Sequence, residues 1–286
     1  MLLTPTRVTL HWLRVGHCRH PEWVTLRGGR WGAIQFPALC ALIIHPSLGP
    51  VLYDTGYSDH FDDETRSFPN KLYRWLTPVQ LPAEERLSVQ LARRGVRMDD
   101  IERVLISHLH ADHVAGLRDL PRARFTALND DVTTNIGRTG LSAVRRAFLP
   151  GLLPTDFLAR LDLADECPVV DLGPQWAPFD RGYDLLGDQS VIGIRLPGHS
   201  AAQLGLVLWD QTGRPVLLAA DACWSTRAWH DNRMPSPVAR LMLHDWARYR
   251  ETLSGLHTLG TRSPDLRILP SHCSAAWTAF QATGDA

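Results

Sequence analysis

Apolar residues recur along this chain in two rhythms. Short blocks rich in valine, isoleucine and leucine, each closed by a turn-forming residue, predict strands over residues 7–13, 39–45, 51–54, 103–107, 123–128, 191–196, 204–209, 216–220 and 266–269. A helical rhythm predicts helices over 82–94, stopped by Gly95, and over 237–259. In the second, Ser236 is the expected cap and Pro237 fits the first turn. Met242, Trp246, Tyr249, Leu253 and Leu256 recur at three- and four-residue steps, and Gly260 is the expected stop. Strands alternating with helices, plus tight turns such as DQTGRP at 210–215, predict an α/β sandwich of two mixed sheets with helices outside. The prolines of residues 129–163 interrupt the strand pattern, so that segment is expected to form a cap over a pocket. Residues 57–81 form a second insertion, and 286 residues suit one domain spanning 1–286.

Composition narrows the function. Thirty basic residues balance thirty acidic ones, so no global field favours nucleic acid or an anionic membrane, and small molecules are the expected partners. No stretch approaches the roughly 20 apolar residues of a membrane span, and the first residues lack a secretory pattern, which makes a cytoplasmic location the expectation. The five cysteines are scattered without a CxxC pair and are expected to be reduced thiols.

The densest chemistry is SHLHADH, residues 107–113, which follows the apolar run VLIS. Side chains at a strand end are held by a rigid sheet yet reach a cleft. His108 and His110 can converge on one ion while Asp112 and His113 turn toward a neighbouring one, and imidazole with carboxylate suits zinc and similar divalent ions. His199 in LPGHS, Asp221 in LLAAD and His272 in ILPSH each close another apolar run, so three further donors at three strand ends are expected to join the same site. The remaining histidines show no comparable clustering.

The run His108, His110, Asp112, His113 is similar to the His-x-His-x-Asp-His signature of the metallo-β-lactamase superfamily, and the likeness extends over most of the chain. It implies two face-to-face sheets between helices, with the metal site at one edge. It also implies two divalent ions, zinc or alternatively manganese or iron(II). His108, His110 and His199 would hold one ion, Asp112, His113 and His272 the other, and Asp221 would bridge them. Asp54, in LYDTG, would order the metal loop without being a ligand.

The reaction that the resemblance implies is attack on a carbonyl by a metal-bound hydroxide. Among subfamilies the chain most resembles the N-acyl homoserine lactonases, through DTG, the ligand loop, PGHS and LLAxDA, which makes a lactone or acyl ester the expected substrate. A thioesterase, a β-lactam hydrolase and a slow-turnover metal-containing accessory protein are the alternatives. Those lactonases place a tyrosine where Trp224 stands, and an indole N–H can donate a hydrogen bond but cannot transfer a proton as a phenol does. Proton transfer is then expected to fall to the carboxylates Asp112 and Asp221, above all Asp221. Phe61, Phe68, Tyr73 and Trp75 are expected to wall an acyl pocket with Trp224, against the competing reading of ordinary packing, and Arg227, His230 and Arg233 follow in a polar loop. A homo-oligomer is compatible with these features.

Overall fold

The computed structural model describes residues 6–282. Its first sheet has seven strands: β1 (Thr9–Pro21), β2 (Ala33–His45), β3 (Gly49–Tyr53), β4 (Val79–Gln80), β5 (Arg103–Leu105), β6 (Arg124–Ala127) and β7 (Leu161–Leu163), in the spatial order β4-β1-β2-β3-β5-β6-β7. The second sheet takes the rest of the chain: β8 (Val169–Asp171), β9 (Arg181–Asp184), β10 (Val191–Arg195), β11 (Leu204–Trp209), β12 (Pro215–Ala220) and β13 (Arg267–Pro270), in the order β13-β12-β11-β10-β9-β8. Both sheets mix parallel and antiparallel pairs, as the strand rhythm predicted.

Two-residue alternation gives the central strands two buried faces. On β2 and β3, Ala41, Ile43, Val51 and Tyr53 point between the sheets, where they meet Leu204, Leu206, Val216 and Leu218. Their neighbours Leu42 and Leu52 point outward to Phe61, Leu91 and Val114. The outer face of the second sheet presents Ile192, Ile194, Val207 and Leu217 to Tyr249, Leu253 and Leu256. Sheet-to-sheet bonds fix the spacing: the Tyr53 hydroxyl donates to Leu204 O at 2.6 Å, and Leu204 N donates to Ser107 O at 2.8 Å.

The helices are α1 (Glu22–Thr25), α2 (Asp59–Glu64), α3 (Lys71–Leu76), α4 (Leu87–Ala92), α5 (Ala111–Val114), α6 (Asn129–Asn135), α7 (Gly140–Val144), α8 (Thr226–His230), α9 (Trp246–Arg262) and α10 (Ser274–Ala282). Among the described residues no helix is long and apolar enough to cross a membrane.

Both predicted helices are interrupted. Over 82–94, Arg86 is extended and divides a 3₁₀ turn, Ala83–Glu85, from α4. The Gln90 side-chain amide takes the Glu85 carbonyl at 2.7 Å, while the Glu85 carboxylate turns down to Arg14 at 3.2 Å. Over 237–259, Pro237–Leu241 is a 3₁₀ turn and α9 starts only at Trp246. Its cap is Asp245, whose carboxylate accepts from Ala247 N and Arg248 N, rather than Ser236. The break has a destination, since His244 N donates to His199 O and Asp245 N to Gly198 O, so these donors serve the loop after β10 instead of a continuous helix. Gly260 lies inside α9, where a Cβ would meet the Trp229 ring at 2.4 Å; it permits close packing and ends nothing.

Candidate metal centre

Strand direction brings the site together. β5 runs parallel to β3, so Asp54 and the 107–113 loop leave the first sheet at the same edge. In the second sheet β10 and β12 each run antiparallel to β11, and β13 runs parallel to β12. Their C-terminal ends therefore share an edge, and from these ends come His199, Asp221 and His272. All seven sequence-predicted donors meet there. His108, His110 and His199 form one set, His108, His113 and Asp221 a second, and Asp112, His113 and His272 a third, with the donor atoms of each set within 4.8 Å of one another.

Asp221 stands between the outer sets. Its Oδ2 is 3.2 Å from His199 Nε2 and 3.0 Å from His272 Nε2, and its Oδ1 is 3.4 Å from His113 Nε2. Ala220, just before it, has a left-handed backbone (φ 44°) after a register shift in β12, which turns the chain out of the sheet. Asp112 reaches His272 Nε2 at 3.4 Å.

These atoms fit a cation. His108 Nε2, His113 Nε2 and Asp221 Oδ1 are buried without a hydrogen-bond partner, which is costly for a polar atom unless something else satisfies it. Burial lowers the pKa of His108, of His110 (to about 4) and of His199, keeping these rings in the neutral form that binds metal. For His113 burial acts in the same sense, but the carboxylates of Asp54, Asp112 and Asp221 outweigh it and raise its pKa. The outward ring nitrogens are held in place. His113 Nδ1 is 2.8 Å from Asp54 Oδ2, and Asp54 Oδ1 accepts from Ser107 N at 2.7 Å. His272 Nδ1 donates to Pro37 O at 2.7 Å, and Ser107 Oγ lies 2.9 Å from His108 Nδ1. Such partners fix the tautomer and leave Nε2 facing inward.

Two contributors to the site had no motif to announce them, and a third, Ser107, opens the ligand-loop motif without looking like a donor. The buried Asp131 of α6 accepts from Leu109 N at 2.7 Å, pinning the ligand loop from below. The Pro37 carbonyl and Ser107 act through main-chain position and a short hydroxyl. Asp131 could have been suspected only as an acid at a helix start, which capping explains equally well.

The expected pocket aromatics divide. Trp224 is buried at the centre, edge-on to His199 at 5.5 Å, and its indole N–H donates to Asp221 Oδ2 at 3.1 Å. Its N–H is therefore taken up by the Asp221 carboxylate. Tyr73 is buried edge-on to Phe61, and burial, followed by the Asp112, Cys18 and Asp221 charges, raises its hydroxyl pKa, which sets the ring on the Asp112 side. Phe68 and Trp75 are 71% and 65% exposed. Trp75 lines a separate cavity of about 530 Å³ with Thr65, Lys71 and Pro78, away from the seven donors. Arg227 and Arg233 are tied to Glu22 and Asp231, and His230 to Asp231. Most other histidines have local partners, such as Asp188 for His45 and Asp119 for His60, whereas His20 lies in electrostatic range of Asp112 and His272.

Comparison with known proteins agrees with this geometry. The chain is 23% identical over 262 residues to the N-acyl homoserine lactonase AttM of Azorhizobium caulinodans, covering 90% of each chain. It is 27% identical over 241 residues to the N-acyl homoserine lactonase AiiB of Agrobacterium fabrum, covering 81% of this chain and 78% of the other. Among solved structures, an AiiA mutant of B. thuringiensis with N-decanoyl-L-homoserine bound at the active site superposes with a TM-score of 0.72, at 17% identity and 96% coverage of both chains. The dizinc quorum-quenching lactonase AidC superposes with a TM-score of 0.62, at 14% identity over 95% of this chain and 90% of that one. With the family model of the metallo-beta-lactamase superfamily matching residues 34–253, the chain belongs to that superfamily and is a metal-dependent hydrolase.

Proposed function

We propose that this protein hydrolyses a lactone or other acyl ester at a dinuclear centre, with zinc as the metal. The observation that carries the reading is the meeting of the two outer donor sets across Asp221 at one sandwich edge. The lactonases among its relatives support the substrate class, and mixed imidazole and carboxylate donors support zinc.

A bound pair of divalent ions supplies Lewis acidity toward a carbonyl oxygen and a water of lowered pKa. His108, His110 and His199 would hold one ion and Asp112, His113 and His272 the other, with Asp221 shared. Asp54 and Pro37 O orient the second set by accepting from the far sides of His113 and His272.

The two carboxylates differ in what they can do. Asp221 Oδ2 already meets Trp224, His272 and His199, and its side chain is 4% exposed. Asp112 is more open to solvent, at 13% exposed. Asp112 is therefore better placed to take a proton from the attacking water and return it to the departing oxygen, while Asp221 holds the centre together. This revises the expectation that Asp221 moves the proton. Trp224 contributes its N–H to Asp221 and packs at right angles to the His199 ring.

The test is a panel of lactones, acyl esters, thioesters and β-lactams incubated with metal-loaded protein, with products read by mass as one water heavier. Turnover of lactones or esters above the other classes is expected. Protein carrying two ions that hydrolyses none of the panel would overturn the reading.

A further inference from the structure

Beside the first donor set lies a cavity of about 180 Å³ whose wall includes His110, His199, Arg145, Arg146, His244 and Leu241. Two of these are donors of the candidate centre, so whatever enters the cavity adjoins the reacting group. Its cationic wall is held in place by main chain. Ala111 N, next to His110, donates to Ala147 O at 2.9 Å, tying the arginine turn to the ligand loop. Across the cavity, His244 N donates to His199 O at 3.0 Å. Arg146 Nη1 spans the gap to His244 Nδ1 at 2.5 Å, and since arginine only donates, this leaves the imidazole proton on Nε2.

Among the described residues no carboxylate lies within ion-pair distance of Arg145 or Arg146; Arg118 and Arg138 also lack one, and what distinguishes this pair is its place on the wall beside His110 and His199. Asp131 also lines the cavity, where its carboxylate accepts from Leu109 N and Asn135 Nδ2. Helix α7, which leads into the arginines, is five residues long, too short for its C-terminal dipole to account for two cations.

We propose that Arg145 and Arg146 form a specificity site for an anionic group, a carboxylate or phosphate, carried by the substrate away from its scissile carbonyl. This rests on the hydrolase reading above and narrows its substrate class to acidic esters or lactones. Guanidinium groups match both oxyanions by paired N–H donation. The exposed Leu241 on the same cavity offers apolar contact to the carbon chain between the anion and the carbonyl.

Two measurements test it. In the first, metal-loaded protein is given 4-nitrophenyl hemiesters of succinate, glutarate and adipate, their neutral methyl esters, and a phosphate-capped counterpart. The wild type should prefer an anionic member by about tenfold or more in kcat/KM, the contribution of one charged hydrogen bond. The comparison of carboxylate with phosphate identifies the group. In Arg145→Gln/Arg146→Gln the preference should collapse toward unity. Equal rates on charged and neutral esters in the wild type, or a preference that survives in the double variant, would overturn the proposal.

The second measurement needs no turnover. Phenylglyoxal modification of the wild type is followed peptide by peptide, with and without glutarate or inorganic phosphate, at matched ionic strength. Selective protection of Arg145 and Arg146, with the exposed Arg181 unprotected, is expected. Protection no greater than sodium chloride gives would refute the site. If every ester is left intact while the protection is seen, the acyl-ester part of the proposed function fails and the anion site stands.

Discussion

At His110, Nδ1 lies 3.0 Å from His199 Nε2, an approach of a half-buried ring to a buried one that a shared cation would satisfy. Replacing His110 by alanine removes one donor without opening a large apolar cavity. The variant is expected to remain folded by circular dichroism, lose metal from the first set and lose hydrolysis by at least 10²-fold. Near-normal turnover with full metal content would exclude His110 as a ligand. The pair Asp221 and Trp224 separates holding from packing. Trp224→Phe keeps a ring against His199 and drops one hydrogen bond to the ionised Asp221 carboxylate, worth about 1.5 to 3 kcal/mol; because that bond is present before and during reaction alike, kcat should change by less than about tenfold. Asp221→Asn should cost roughly 10²-fold by weakening metal binding, and elemental analysis should show ions leaving with it. A Trp224→Phe protein that keeps both ions yet loses most of its kcat would make the indole N–H a required donor.

At the level of elements, the loop after β10 depends on a close approach. Gly198 has φ +126°, and a Cβ there would lie 2.2 Å from the backbone nitrogen of Tyr249. Gly198→Ala is expected to destabilise the fold by about 3 kcal/mol, combining backbone strain with overpacking against α9, and to displace His199; urea melts and metal content read both effects. The motif LPGHS was legible, while the helix that demands its glycine was misplaced. Met242 looked like a core position by spacing, yet it is half exposed, because backbone donors at 244 and 245 are taken by the loop carrying His199. The nine predicted strands are all present, since most of them bury both faces and so carry a continuous apolar block. β4, β7, β8 and β9 were missed. They have two to four residues each and sit at or next to sheet edges, where VQ, LDL, VVD and RGYD have little apolar surface to show. The seven donors were legible because histidine and aspartate at strand ends have few other uses. The arginine wall was not, because its meaning comes from a turn that hydrogen bonds to the ligand loop.

For the whole molecule, the candidate centre is also a structural joint. About two divalent ions per chain are expected by elemental analysis after dialysis. Chelation should lower the melting temperature, since ions that bind only the folded state stabilise it in proportion to the logarithm of their concentration over Kd. A chelated protein with an unchanged melting temperature and no metal to lose would remove the basis of the dinuclear assignment. The chain order of the two sheets gives this joint a further meaning. Residues 9–163 build the first sheet and residues 169–270 the second. The donors divide likewise, with His108, His110, Asp112 and His113 from the first stretch and His199, Asp221 and His272 from the second. Every donor set draws on both stretches. Neither half of the polypeptide can hold an ion in this way by itself, so metal uptake reports that the halves have closed on each other, and a translation product cut short before β10 would be catalytically silent as well as unfinished.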